Sequence, residues 1–364
     1  MSMRDIRRHI GQLAIAGFAG EAIPADLKSL AREFDLGGVI LFARNVSAPE
    51  QVAEIARETQ AMAQELPLWV SVDQEGGRVA RLKAPFTIWP PMMTLGRSGD
   101  VRLAERFAVA LAAELKAVGI TLDYTPVLDI LTNPRNPVIG DRALAERAED
   151  VARLGRTIVG ALQREGIAAC GKHFPGHGDT AVDSHHELPL VEHPPDRLDA
   201  VELVPFRAAI DEGVAAIMTA HILVPAFDEE RPATLSPAIV DGLLKKKLGF
   251  EGLVLSDDLE MRAISARYGI PEATLAATAA GCDAVLMCGA AQEPQAAALE
   301  ALIKAVENGT LPVARVEDAL SRHRRVKERF LAASRRAPLT GSALRAALGR
   351  DEHQAVAAEM ARYA

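Results

Sequence analysis

The chain has 364 residues, of which 49% are hydrophobic, 25% charged and only 4% aromatic. That length fits one large α/β domain or two small ones, and the composition excludes a disordered, collagen-like or disulfide-scaffold chain. A net charge of −8 with no long Lys/Arg block excludes nucleic acid or an anionic membrane as a partner held by bulk charge.

The N-terminus, MSMRDIRRHIGQLAIAGFAG, is basic and then briefly apolar. Gly11, Gly17 and Gly20 interrupt the apolar stretch and Glu21 follows. It reads as a short helix running into a first strand, not as a signal peptide. Short apolar runs of strand length then recur at 13–18, 38–42, 68–73, 121–127, 168–173, 215–221, 252–257 and 283–288, eight in all. Amphipathic helical patterns lie between them at 49–63, 101–118, 147–165, 205–212, 237–246 and 271–280. Pro49, Pro237 and Pro271, just after Ala, Ser and Ile, open three of these, and proline suits the first helical position. Alternating strands and helices imply a parallel sheet buried on both faces. Eight units predict a (β/α)₈ TIM barrel as a single domain. A doubly wound open sheet competes, but no GxGxxG opens a helix after the first strand. From Gln292 to the end the chain reads as helix: 292–309, 313–334, then a segment after Pro338. The expected division is a catalytic barrel over 1–330 and a helical extension over 331–364. The basic stretch 323–327 reads as a solvated helix face or a capping contact. No apolar run reaches the about 18 residues that a membrane-spanning helix needs. Cys170, Cys282 and Cys288 are odd in number and sit in apolar stretches, as reduced thiols of a cytoplasmic protein do.

In such a barrel the chemistry sits at the C-terminal ends of the strands. Polar residues ending an apolar run are therefore candidates. The third run ends in Asp73 before Gln74-Glu75-Gly76-Gly77-Arg78, and the fourth carries Asp123, with Asp129 just beyond. The fifth ends in Lys172-His173, the sixth in His221 and the seventh in Ser256-Asp257-Asp258. The eighth ends in Cys288-Gly289, with nothing obviously reactive.

The densest constellation is GKHFPGHGDTAVDSHHE over 171–187. Five of the nine histidines, His173, His177, His185, His186 and His193, fall within 21 residues. Pro175, Gly176 and Gly178 mark a loop after a strand. Three readings stand: a hydrogen-bonded loop without chemistry, a metal site, or acid/base catalysis by a histidine that a carboxylate orients. The spacing matches neither HExxH nor a tight HxH pair, which counts against a metal. Asp183 and His185 are two apart, and in an extended segment such side chains share a side. The carboxylate could then fix the imidazole tautomer. Asp257 ends the cleanest strand and is the nucleophile candidate, with the capping of a following helix as the alternative role. Asp258 is expected to point elsewhere. A carboxylate facing a second proton-transfer group is the arrangement of retaining glycoside hydrolysis, with Asp73, Arg81, Arg142, Lys172 and His173 available to hydroxyl groups.

In this order, LAIAGFAG, GGVILFARN, VDQEGGRVARL, PPMMTLG, NPVIGDR, GKHFPGHGDTAVDSHHELP, MTAHILVPAFD, PATLS and GLVLSDDLEM resemble family 3 glycoside hydrolases. More narrowly they resemble the bacterial β-N-acetylglucosaminidases of the NagZ type. The resemblance implies a retaining exo-β-N-acetylglucosaminidase. Asp257 would be its nucleophile, His185 the general acid/base and Asp183 its assistant. It places Asp73, Arg81, Arg142, Lys172 and His173 on the sugar and requires neither metal nor organic cofactor. It also implies a small carbohydrate as partner: a cytoplasmic muropeptide, GlcNAc β-1,4-linked to 1,6-anhydro-N-acetylmuramic acid, released in cell-wall recycling. The expected state is a monomer. Two departures stand out. Many related enzymes carry a second α/β domain, for which the residues after the barrel are too few, and Ala143-Leu144 follow Arg142 where Ser-Phe is commoner. Alternatives are a phosphorylase resolving the same intermediate with phosphate, a family 3 glycosidase of another sugar preference, a metal-dependent amidohydrolase and a non-catalytic sugar-binding barrel. With Trp69 and Trp89 the only tryptophans, a short one-sugar pocket is expected over an aromatic-lined cleft.

Overall fold

The computed structural model describes residues 2–331 and 337–364. Its eight long-range strands are Ala14–Ala16, Gly38–Leu41, Trp69–Val72, Leu122–Asp123, Ala168–Phe174, Ala216–Thr219, Leu253–Asp258 and Ala284–Met287. Each falls within its predicted run or one residue past it. They close into a barrel in which the first strand pairs with the second and the eighth, all in parallel. The open doubly wound sheet is thereby excluded.

Side-chain alternation explains the closure. Ile15, Ile40, Trp69, Leu122, Leu253 and Leu255 turn inward and fill the barrel with Ala168, Cys170, Met218 and Leu286. Their neighbours Val39, Leu41, Val70, Val72 and Val254 turn outward into the core beneath the helices. The predicted helices appear as Pro49–Ala61, Val101–Ala117, Ala148–Arg164, Val204–Asp211 and Ile270–Ala280. The segment predicted at 237–246 is instead π-helical over Ala238–Lys247. Asp100 starts Val101–Ala117 by accepting the Arg102 amide at 2.8 Å.

Helix Gln292–Glu307 follows the eighth strand, and Val313–Phe330 closes the N-terminal mouth. Val326, Phe330 and Leu331 of that stretch pack into the barrel interior. The last residues of the predicted helix, 332–334, lie outside the described residues. The basic stretch divides. Arg324 and Arg325 are exposed, whereas His323 and Lys327 are buried. Lys327 Nζ donates to Gln12 Oε1 at 2.6 Å and to the Gly37 carbonyl at 2.9 Å, tying the helix to the barrel floor.

Burial pulls the Lys327 ammonium down to about 7, against the opposing charge of Asp35. An unfolded lysine titrates near about 10.4. Between those values the unfolded chain binds more protons than the folded one, so stability rises with pH there. Lys327→Met should flatten this rise, read as melting temperature from pH 7 to 10. An unchanged slope would remove Lys327 as its source.

Candidate active site

A cavity of about 330 Å³ is lined by Asp73, Arg81, Arg142, Lys172, His173, Asp183, His185 and Asp257. All eight residues given a role from the sequence line it, whereas Asp123, Asp129 and His221, also named at the strand ends, do not. Ile40, Met218 and Leu286 from the barrel interior also line it.

The seventh strand aims the candidate nucleophile. Leu253 and Leu255 face the interior, so the alternation brings Asp257 to the same face. The nearest helix, Arg262–Ser265, has Met261 at its N-cap and no side-chain cap bond, so Asp257 is not its cap. Burial pushes the Asp257 carboxyl up, but the imidazoles of His221 and His173, the Asp258 amide and Lys172 outweigh it and hold it below its usual value. The expectation for Asp258 needs correction, because it lines the cavity too. The ladder to the eighth strand slips between Ala284–Leu255 and Leu286–Asp258, and the slip breaks strict alternation. Asp258 Oδ1 accepts the Glu260 and Cys288 amides at 3.1 Å each. Burial, with Glu260 and Asp257 beside it, raises Asp258 to about 6. Adjacent carboxyls are thus driven apart, and Asp257 is the one that stays ionised. Cys288 also lines the cavity, and burial pushes its thiol well above its usual range.

The fifth strand breaks alternation in the same way. Its register shifts between Gly171 and Phe174, and both Lys172 and His173 reach the cavity. Lys172 Nζ lies 2.6 Å from Asp73 Oδ1 and 2.6 Å from Glu75 Oε1. Glu75 also receives Arg142 in a two-pronged bond at 2.9 and 2.8 Å, and Arg142 donates to the Val138 carbonyl at 3.0 Å. Ala143 and Leu144 are fully buried behind it, so the smaller pair leaves Arg142 seated. Burial pushes the Glu75 carboxyl up, but Arg142 and Lys172 hold it well below the carboxylate range. Arg81 pairs with Asp73 at 3.5 Å and lies 5.6 Å from the Phe42 ring centre. The tryptophans are buried and neither lines this cavity.

Glu75 was not singled out in the sequence, although it lies two residues past Asp73 in a turn. It sits on a hairpin, Gln74–Gly76 against Val79–Ala80, too short to read from periodicity. Removing it leaves two buried cations short of a partner. Glu75→Ala should cost about 3–5 kcal/mol, the scale for breaking a buried ion pair, measured by denaturant unfolding. A change within error would mean that Asp73 alone satisfies the cations.

Asp129 is the other residue noted only in passing. Its carboxylate lies 2.6 Å from His173 Nδ1 and accepts the His177 amide at 2.6 Å. It thereby orients His173 and anchors the start of the histidine-rich loop. His177 bridges Thr180 Oγ1 at 2.7 Å and Ser184 Oγ at 3.1 Å, and burial pulls it down to about 4. It is a neutral positioning imidazole. A Cβ on Gly178 would fall 1.7 Å from the Ile130 carbonyl, so only glycine fits. His193 pairs with Asp179 at 2.7 Å, and His186 is exposed.

Asp183 and His185 do pair, but through a turn and not through an extended segment. Asp183 Oδ1 accepts the His185 amide at 2.8 Å and faces its Nδ1 at 2.7 Å. Burial pushes Asp183 up, and the hydrogen bonds and charge of His185 outweigh it, so it stays a carboxylate. A carboxylate only accepts, so Nδ1 carries the proton and Nε2 is the nitrogen for substrate. Among the described residues, no group of three or more His, Cys, Asp and Glu is placed to hold a metal ion. No helix among them is long and apolar enough to cross a membrane. Cys170, Cys282 and Cys288 are free and buried.

A closed barrel whose strand ends gather carboxylates, cations and imidazoles around a small cavity defines a (β/α)₈ enzyme with a polar pocket. The glycosyl hydrolase family 3 N-terminal domain matches residues 5–326, and the chain belongs to that family. It is 42% identical over 259 residues to a β-hexosaminidase of Nitrosomonas eutropha, covering 70% of this chain and 74% of the other. A family 3 β-N-acetylglucosaminidase from Paenibacillus superposes with a TM-score of 0.94 at 44% identity, covering 98% of this chain and 68% of that one. NagZ from Neisseria gonorrhoeae, in complex with N-trifluoroacetyl-D-glucosamine, superposes with a TM-score of 0.78 at 33% identity, covering 96% and 97%.

Proposed function

We propose that the protein is a retaining exo-β-N-acetylglucosaminidase that removes a terminal β-linked GlcNAc from GlcNAc–1,6-anhydro-N-acetylmuramic acid muropeptides in the cytoplasm, during cell-wall recycling. The observation that carries the reading is the convergence of Asp257 and the Asp183–His185 pair on one cavity. Family membership and the hexosaminidase relatives support the reaction class. The volume of about 330 Å³ is at the low end for ligand sites and suits one sugar. Three free thiols suit a reducing compartment.

The sugar lies against Asp73, Arg81, Arg142, Lys172 and His173; Glu75 holds Arg142 and Lys172, Asp129 holds His173, and Asp73 pairs with Lys172 and Arg81 before substrate arrives. Asp257 attacks the anomeric carbon as a carboxylate. Protonated His185 gives the Nε2 proton to the departing oxygen, and Asp183 stabilises the imidazolium. Positive charge spreads over the anomeric carbon and ring oxygen in the transition state. His185, now neutral, takes a proton from water, which attacks the anomeric carbon from the face opposite Asp257, breaks the bond to its oxygen and releases it as a carboxylate. Two inversions give net retention.

The test is hydrolysis of an aryl β-N-acetylglucosaminide, with and without phosphate. Free GlcNAc at the same rate in both buffers is expected. A sugar 1-phosphate as the main product would make the enzyme a phosphorylase, and preference for an aryl β-glucoside would reassign the sugar.

A further inference from the structure

One buried carboxylate outside the pocket links its wall to the C-terminal helices. Glu114 lies on helix Val101–Ala117 and is 2% exposed. Its Oε2 accepts the Thr87 amide at 2.8 Å, and its Oε1 accepts the Thr87 hydroxyl at 2.7 Å. The same Oε1 meets the Gly349 amide at 2.9 Å and His353 Nδ1 at 2.9 Å. Three donors thus share Oε1 and one takes Oε2, so the carboxylate gathers the Thr87 segment and the tail on one group. Gly349 precedes helix Asp351–Ala361, on which His353 sits, itself buried. The tail also touches the Thr87 segment directly, since a Cβ on Gly349 would fall 2.4 Å from the Pro85 carbonyl.

The Thr87 segment in turn leans on the hairpin. The Gly77 amide donates to the Trp89 carbonyl at 2.9 Å. A Cβ on Gly76 would fall 2.7 Å from the Pro90 carbonyl, and φ there is +117°. That hairpin carries Glu75, which holds Arg142 and Lys172, and leads into Arg81. Gln74 Oε1 accepts the Arg81 amide at 2.8 Å, so Arg81 moves with the hairpin.

We propose that His353 is a positioning residue for substrate: through Glu114 and Thr87 it fixes the hairpin that holds Glu75 against Arg142 and Lys172 and leads Arg81 to the sugar. The proposal rests on the reading of the pocket as a sugar site. Pocket residues that grip substrate and transition state alike set KM more than kcat. Loosening their support therefore raises KM.

The experiment compares full-length wild type, His353→Ala and His353→Asn on the aryl β-N-acetylglucosaminide, well below each melting temperature. His353→Ala should raise KM about fivefold with kcat within about twofold, the signature of lost uniform binding. His353→Asn should restore KM, because its amide N–H replaces Nδ1–H. Thr87→Val removes the hydroxyl bond from the loop side and should also raise KM, which keeps the test open should His353→Ala not fold. A lowered melting temperature with wild-type KM would make the contact structural only and overturn the proposal, as would a fall in kcat alone. Wild type inactive on this substrate would contradict the sugar-site reading instead.

Discussion

Asp257→Ala should lose turnover by roughly 10⁴-fold or more, the scale expected when a covalent nucleophile is removed. The fold should survive. Asp257 makes one local bond, from the Asp258 amide to its Oδ1 at 2.8 Å, and it is neither a helix cap nor the partner of a buried cation. Removing it takes away a charge that His221, His173 and Lys172 favour but breaks no direct ion pair, so the melting temperature should fall only slightly. Asp258→Asn is the control. Asn keeps the Oδ1 that receives the Glu260 and Cys288 amides, and Asp258 is the carboxyl that holds a proton up to about 6. It should retain most activity at neutral pH. Equal losses in both variants would break the assignment of distinct roles to the two neighbours.

His185→Ala should lower turnover by about 10²–10⁴-fold on a substrate whose leaving group needs a proton, the usual worth of general acid/base catalysis. On an aryl glycoside with a strongly acidic phenol the first step needs little protonation, so the loss should fall on hydrolysis of the intermediate. A burst of phenol followed by slow turnover is the expected time course. Asp183→Asn should lose less, because Asn keeps an acceptor for Nδ1–H but not the charge that steadies the imidazolium. His185 is well exposed at 59% of its side chain, so its replacement should leave the melting temperature unchanged. Identical losses for acidic and basic leaving groups would contradict its role as proton donor.

The barrel was legible because its strands are buried on both faces and read as apolar runs between amphipathic helices. The rim was legible for the same reason: a charge that ends an apolar run has nowhere to sit but the open end. What alternation could not foresee is where ladders slip. At Gly171–Phe174 and at Leu255–Asp258 the register shift turns two successive residues toward one cavity, and a period of two predicts that only one faces it. Glu75 and Asp129 carry no role in the sequence reading because neither ends a strand. Their role depends on partners far along the chain, Arg142 and Lys172 for one and His173 and His177 for the other, and spacing carries no record of such pairs. The turn at Asp183 shows the converse: the pair was foreseen, while its geometry was set by a backbone amide that periodicity ignores.

The most direct measurement is a quenched reaction of His185→Ala with an activated aryl β-N-acetylglucosaminide, digested and mapped by mass spectrometry. The account predicts that the peptide bearing Asp257 gains the mass of one GlcNAc residue, through an ester to that side chain. An unmodified Asp257 peptide during the slow phase, or the sugar on any other residue, would contradict it.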